Sequence, residues 1–172
     1  AAPGDTIASA FVGSGNGVAA FSGTSMASPL TAGLSAIVKS RHPAWTPLMV
    51  KAAVMNNATH DVTTGNSHSG FKYGPARVGA GRVDALAASK ASVLAYVNTP
   101  ANAVSASFGP VEAPIDGGKV TKTKRLVVQN TGGKSVTVKL AYQSVIATPG
   151  VTYKVSPSTL TVPGGSSRKA TV

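Results

Sequence analysis

Ser25 sits in the run Gly23-Thr24-Ser25-Met26-Ala27-Ser28-Pro29, between small residues and just ahead of an apolar stretch with helical spacing. That setting suits two jobs. A serine at a helix N-terminus meets free backbone N–H groups and the positive end of the helix dipole. Both favour the negative charge that develops when its hydroxyl attacks a carbonyl. Gly23 lets the backbone bend there and lets a substrate come close. The same position equally suits a Ser or Thr that caps the helix and does no chemistry. A hydroxyl becomes a useful nucleophile only when a base takes its proton and an acid orients that base. Before Ser25 there is no histidine, and Asp5 is the only carboxylate.

The histidines His42, His60 and His68 all follow Ser25. His42 precedes Pro43, at the far end of the helix that Ser25 opens. At about 1.5 Å per helical residue it lies roughly 25 Å from Ser25, where it suits bonding to the last helical carbonyls. His60 and His68 fall in the polar stretch 56–69, which reads as a surface loop. Their spacing is not that of a zinc site. The chain has no cysteine, so neither a metal site nor a disulfide is predicted.

The elements around Ser25 follow from spacing and punctuation. Gly13-Ser14-Gly15-Asn16-Gly17 between the apolar flanks of 11–21 predicts a hairpin turn. The spacing predicts a first helix over 25–40, with Met26, Ala27, Leu30, Leu34, Ile37 and Val38 on one face. Pro29 is expected in its first turn, where a missing N–H costs little. Thr46 is the expected cap of a second helix, with Pro47 at its first position. That helix is apolar nearly all round from Leu48 to Met55, which predicts burial and cover from outside the chain. A short third helix is expected from about Arg82, with Val83 and Leu86 turned inward. Asn57-Ala58-Thr59 matches a glycosylation sequon, a pattern common by chance.

The seven residues Gly23 to Pro29 resemble the active-serine motif of the subtilisin-like serine proteases, the subtilases. Three further segments resemble the same family in the same order. They are Ala2-Pro3-Gly4-Asp5-Thr6-Ile7-Ala8-Ser9, then His42-Pro43-Ala44-Trp45-Thr46-Pro47 with 50–56, then Gly79-Ala80-Gly81-Arg82-Val83-Asp84-Ala85. Leu30 and Thr31 depart from the His-Val found in many members. The resemblance implies that Ser25 is the catalytic nucleophile and that Gly23 and Thr24 are substrate-binding residues, shaping the turn and the cleft. It also implies that the segments bearing the family's catalytic Asp, His and oxyanion-hole Asn lie outside this chain, which is then expected to be inactive alone.

After Asn98-Thr99-Pro100-Ala101-Asn102 the pattern changes to period two. Val136, Val138, Leu140 and Tyr142 alternate with more polar residues, as do Val151, Tyr153 and Val155. Thr131-Gly132-Gly133-Lys134 reads as a turn after the strand-like run 125–130, and Pro163-Gly164-Gly165 marks another. Five to seven short strands predict an Ig-like sandwich. This part resembles the fibronectin-like domains that follow the catalytic domain in larger subtilases. The organisation the resemblance implies is residues 1–97 as the C-terminal part of a subtilase catalytic domain, 98–104 as a linker, and 105–172 as a fibronectin-like β-sandwich, complete or truncated. The fold class is α/β, a portion of a three-layer parallel-sheet domain, joined to an all-β domain.

Composition narrows the partners. The net charge is +11, with 42% hydrophobic and 5% aromatic residues. Residues 1–97 hold seven Lys and Arg against three acidic residues, and 98–172 hold nine against two. The cations are scattered and not interleaved with stacking aromatics, which argues against nucleic-acid binding. No run approaches the roughly 20 apolar residues of a membrane span. The expected partners are a protein or peptide substrate and the remainder of the catalytic domain. No cofactor is evident, and no carboxylate cluster suggests calcium, though family members often hold calcium elsewhere. An extracellular location is expected. The competing reading is a non-catalytic adhesion or scaffold module in which the serine is a relic.

Overall fold

The computed structural model describes residues 1–97 and 103–172. Residues 98–102, where most of the expected linker falls, lie outside the described residues.

Strand β1 (Ile7–Ala10) pairs antiparallel with β2 (Val18–Phe21), with Ile7 opposite Phe21 and Ala10 opposite Val18. The predicted turn joins them, and the Phe11 N–H donates to the Gly17 carbonyl at 2.9 Å. Gly13 and Gly15 both take positive φ there, which is why the turn is built from glycine.

Helix α1 (Thr24–Arg41) follows, one residue longer at each end than the spacing predicts. Its cap is Gly23, so Pro29 is the sixth helical residue and not part of the first turn. The correction has a local consequence. Proline has no N–H to donate to the carbonyl four residues back, which is that of Ser25. Leu34 and Val38 are buried, whereas Leu30 and Ile37, expected on the same inward face, are 42% and 53% exposed.

Helix α2 (Pro47–Asn56) begins as predicted. The Thr46 hydroxyl accepts the Met49 N–H at 3.3 Å and Pro47 takes the first position. Val50, Ala52, Ala53 and Val54 are buried. Their cover comes from within the chain, from α1, from the helix at Ala85–Ser89 and from the strand at Val93–Val97, while Leu48, Met49 and Met55 are only partly buried. After α2 the chain makes the single bridges Thr59–Arg82 and Thr63–Lys72, with one 3-10 turn at Asn66–His68. Helices α3 (Pro75–Val78) and α4 (Ala85–Ser89) are short. The Asp84 carboxylate caps α4 by accepting the Ala87 N–H at 2.9 Å, so the helix starts three residues later than expected from Arg82. That shift turns Leu86 outward, 64% exposed, while Val83 packs on the core as predicted.

Strand β3 (Val93–Val97) leaves the helical core and pairs antiparallel with β4 (Arg125–Asn130), Val93 opposite Asn130. Two further strands, β5 (Val136–Lys139) and β6 (Thr159–Val162), form a separate antiparallel pair. Strand β7 (Ser167–Thr171) joins the other edge of β4, giving the order β3-β4-β7. Val128 and Ala170 of that sheet pack against Leu160 and Val162 of β6. The opposite face meets the helices, where Leu94 is fully buried with Val38, Trp45 and Ala53. Asn130 is 1% exposed, and its amide donates to the carbonyls of Lys134 and Val162, satisfying the group and fixing the turn.

Residues 151–155 form no strand, although they alternate. Among the described residues this stretch meets a ladder only just past its end, at the isolated bridge from Ser156 to Thr171 of the last strand. Among the described residues every strand pair is antiparallel, so none belongs to the parallel sheet that the resemblance implies. The molecule combines helices with small sheets, compatible with part of an α/β domain. No helix of the described residues is long and apolar enough to cross a membrane.

Candidate active site

Gly23 governs the geometry around Ser25. Its φ is 153° and ψ 172°, a backbone conformation that residues with a side chain rarely adopt. Its carbonyl accepts the N–H groups of Met26 (3.1 Å) and Ala27 (3.3 Å), which starts α1. Neither Ser nor Thr caps this helix: no side-chain hydrogen bond is made at its N-terminus. Ser25 is the second helical residue and is exposed. Among the described residues its hydroxyl engages no partner, and the N–H groups of Thr24 and Ser25 donate to none. These free donors point along the helix axis at its positive end. The capping role is thereby removed from Ser25, and what remains is an accessible hydroxyl beside unpaired donors.

The turn is held from one side by residues 4–6. The Gly23 N–H donates to the Gly4 carbonyl at 2.7 Å. A Cβ on Gly4 would lie 2.7 Å from the Gly23 carbonyl oxygen and 3.1 Å from the Ala27 Cβ, so only glycine fits there. The Ser22 hydroxyl donates to the Asp5 carboxylate, and the Thr6 N–H donates to Ser22 Oγ at 2.9 Å. Asp5 is thus bonded to a serine hydroxyl and not to a histidine ring.

The histidines are spread elsewhere. His42 is the C-cap of α1, its own N–H donating to the Val38 carbonyl, at the end of the helix opposite Ser25. Its ring stacks on Trp45 at 3.8 Å between centroids, 8° from parallel. Its Nε2 lies 3.1 Å from the Ser89 carbonyl oxygen, a bond that requires the proton on Nε2. His68 Nδ1 is 2.8 Å from the Asp61 carbonyl oxygen, and His60 is exposed. Among the described residues no three His, Cys, Asp or Glu side chains converge as a metal-binding group.

Asp61 and Arg82 form an ion pair that ties 59–63 to the segment before α4. The Arg82 guanidinium, then the Thr59 hydroxyl, hold the Asp61 carboxyl well below the usual carboxylate range. The pair raises Arg82 in return. Composition and motif reading did not single out this pair, because partners twenty-one residues apart leave no local pattern. Asn57 of the sequon is half-buried and its side-chain amide donates to the Ala53 carbonyl at 2.8 Å, so it serves as the C-terminal cap of α2. Two cavities among the described residues lie away from Ser25. The larger, about 590 Å³, lies between 72–81 and the loops at 105–107 and Val145.

Residues 1–81 match the family model described as the subtilase family. Subtilisin-like protease SBT4.11 of Arabidopsis thaliana is 31% identical over 150 residues, covering 77% of this chain and 20% of that protein. A match of that extent exceeds the first 97 residues and so takes in part of the β region. Subtilisin-like protease SBT2.5 of Arabidopsis thaliana is 51% identical over 45 residues, 26% of this chain and 6% of the relative. Alkaline elastase YaB of Bacillus sp. (strain YaB) is 42% identical over 57 residues, 33% of this chain and 15% of the relative. The chain therefore spans a fifth or less of the length of these relatives. Over residues 1–81, a span that includes Ser25, the chain is similar to the subtilase family.

Proposed function

We propose that this chain is part of a secreted subtilisin-like serine endopeptidase in which Ser25 is the nucleophile. The observation that carries this reading is the exposed Ser25 hydroxyl at the second position of α1, uncommitted to capping and beside unpaired N–H groups. In the reaction, Ser25 Oγ attacks a peptide carbonyl and its proton passes to a base. The Ser25 N–H donates to the oxyanion that forms, the amine leaves, and water releases the acyl group. Gly23 and Thr24 shape the turn, and Thr24 borders the substrate cleft.

The base and its orienting acid come from outside this chain, since His42 lies at the far end of α1 and Asp5 is bonded to Ser22. The chain alone is accordingly inactive. Residues 1–97 serve as the serine-bearing part of the catalytic domain, 98–104 as the linker and 105–172 as a fibronectin-like β domain, whose sheet takes β3 of the first part as an edge strand. The match to SBT4.11 runs past residue 97 and so takes in both parts of this chain. The remainder of the catalytic domain is the partner that covers the exposed Leu30 and Ile37 of α1 and Phe11, Val18 and Phe21 of the hairpin.

The test is labelling of the full-length gene product with a fluorophosphonate, followed by mass mapping. Label on Ser25 alone, lost on heat unfolding, is the expected result, because only a serine beside a base exceeds the reactivity of an ordinary alcohol. An unlabelled Ser25 in the folded, processed protein overturns the reading and leaves the adhesion or scaffold module.

A further inference from the structure

We infer that Asp5 and Ser22 form a clasp that positions the Ser25 turn, with Asp5 acting as a hydrogen-bond acceptor and not as a triad acid. The β1–β2 ladder runs from Ala10–Val18 to Ile7–Phe21. One step further on, the backbone pairing stops being regular. The Thr6 N–H, which lies at a position where a continuing ladder makes no bond to β2, instead turns to Ser22 Oγ at 2.9 Å. Thr6 has φ 52°, a left-handed conformation costly for a β-branched residue. The Ser22 hydroxyl thus ties the Thr6 N–H to the turn at the point where the chain bends.

The Ser22 hydroxyl has one proton, and Asp5 fixes where it goes. With the hydroxyl O–H directed at the carboxylate, an Oγ lone pair is held toward the Thr6 N–H. The next residue is Gly23, whose N–H is bonded to the Gly4 carbonyl and whose carbonyl starts α1. Three consecutive residues, 4 to 6, therefore hold two consecutive residues, 22 and 23, and Ser25 lies two residues beyond. No other side chain among the described residues bonds to this turn. A misplacement of about 1 Å at a reacting group costs on the order of a hundredfold in rate, so such a clasp bears on reactivity as well as on folding.

The effect on reactivity rests on the nucleophile assignment above, whereas the clasp itself does not, and the experiment separates them. In the full-length protein, three variants are compared with the parent: Asp5→Ala, Ser22→Ala and Asp5→Asn. The readouts are the rate of fluorophosphonate labelling at Ser25 and amide exchange at Thr6 and Gly23, with Leu34 and Val38 as the reference for α1. Asp5→Ala and Ser22→Ala should slow labelling about tenfold, with Ser22→Ala the more severe because it removes both bonds. Exchange should quicken at Thr6 and Gly23 and stay unchanged at Leu34 and Val38. Asp5→Asn keeps an acceptor oxygen and should label within about threefold of the parent. Unchanged labelling in Asp5→Ala overturns the inference, as does an Asp5→Asn variant as slow as Asp5→Ala. Faster exchange at Leu34 and Val38 as well would reduce the clasp to a general stabilising contact and also overturns it. If the parent itself is unlabelled, the nucleophile assignment fails, and the clasp stands or falls on exchange at Thr6 and Gly23.

Discussion

Single residues in this molecule are fixed by contacts that sequence spacing does not reveal. Gly4 is one, since its missing side chain is what allows the Gly23 carbonyl and Ala27 to approach. Asp61 is another, and it carries a pH dependence. Its carboxyl is held below the usual range by the Arg82 guanidinium and the Thr59 hydroxyl, so the native state favours the ionised form. The stability this contributes is present in full above the unfolded carboxylate pKa of about 3.9, and declines as pH falls below it. It is gone once pH passes below the lowered native value. Asp61→Asn should therefore lower the melting temperature slightly at pH 7, and the gap to the parent should close as the pH is brought down through the acid range. The effect is small because the pair is partly exposed, with Arg82 46% and Asp61 29% accessible. A gap that widens on acidification would refute the assignment. Arg82, raised by the same pair, stays charged throughout that range.

At the scale of elements, α2 is the segment most directly dictated by sequence. Thr46, Pro47 and the apolar run behind them specify a cap, a first turn and a buried body. Thr46→Ala should cost about 1 kcal/mol of stability through the loss of the bond to the Met49 N–H, measured by denaturant unfolding. No change in midpoint would show that the cap is not maintained in solution. The hairpin and the placement of His42 at the end of α1 were equally legible, because glycine clusters and an X-Pro step are local signals. Legibility fails where a long-range partner decides the outcome. Residues 151–155 alternate like a strand, but among the described residues they pair with no strand, and only Ser156 beyond them bridges β7. Asp84 stops α4 from starting at Arg82, and that displacement is enough to expose Leu86. The Ser25 site was half legible. Its motif pointed to a helix start, but the sequence left nucleophile and cap as alternatives, and only the observed cap at Gly23 removes one of them. The Asp5–Ser22 bond left no sequence signal, since the residues are seventeen apart and joined by the closing of the hairpin.

On the scale of the whole molecule, burial is uneven. Val50, Ala52, Ala53 and Val54 of α2 are buried, while Phe11, Val18 and Phe21 on the hairpin and Leu30 and Ile37 on α1 remain exposed. The isolated chain should bind an anionic hydrophobic dye, and Leu30→Gln with Ile37→Gln should lower that binding by about half or more with little loss of stability. Dye binding that does not respond to the two changes would place the accessible apolar surface elsewhere. Strand β3 has a different consequence. It carries Leu94 into the helical core and Val93 toward the β5–β6 side, and it supplies one edge of the sheet built with β4 and β7. The break in composition after Val97 is therefore not the break in space. A chimera that swaps the β region at residue 98 would part β4 from the neighbour with which it is hydrogen-bonded. One that swaps at 90–92, between α4 and β3, would instead strip Leu94 from the helices. Neither seam divides the chain into transferable modules, and recombination succeeds only if the donor brings a strand that fits both surfaces at once.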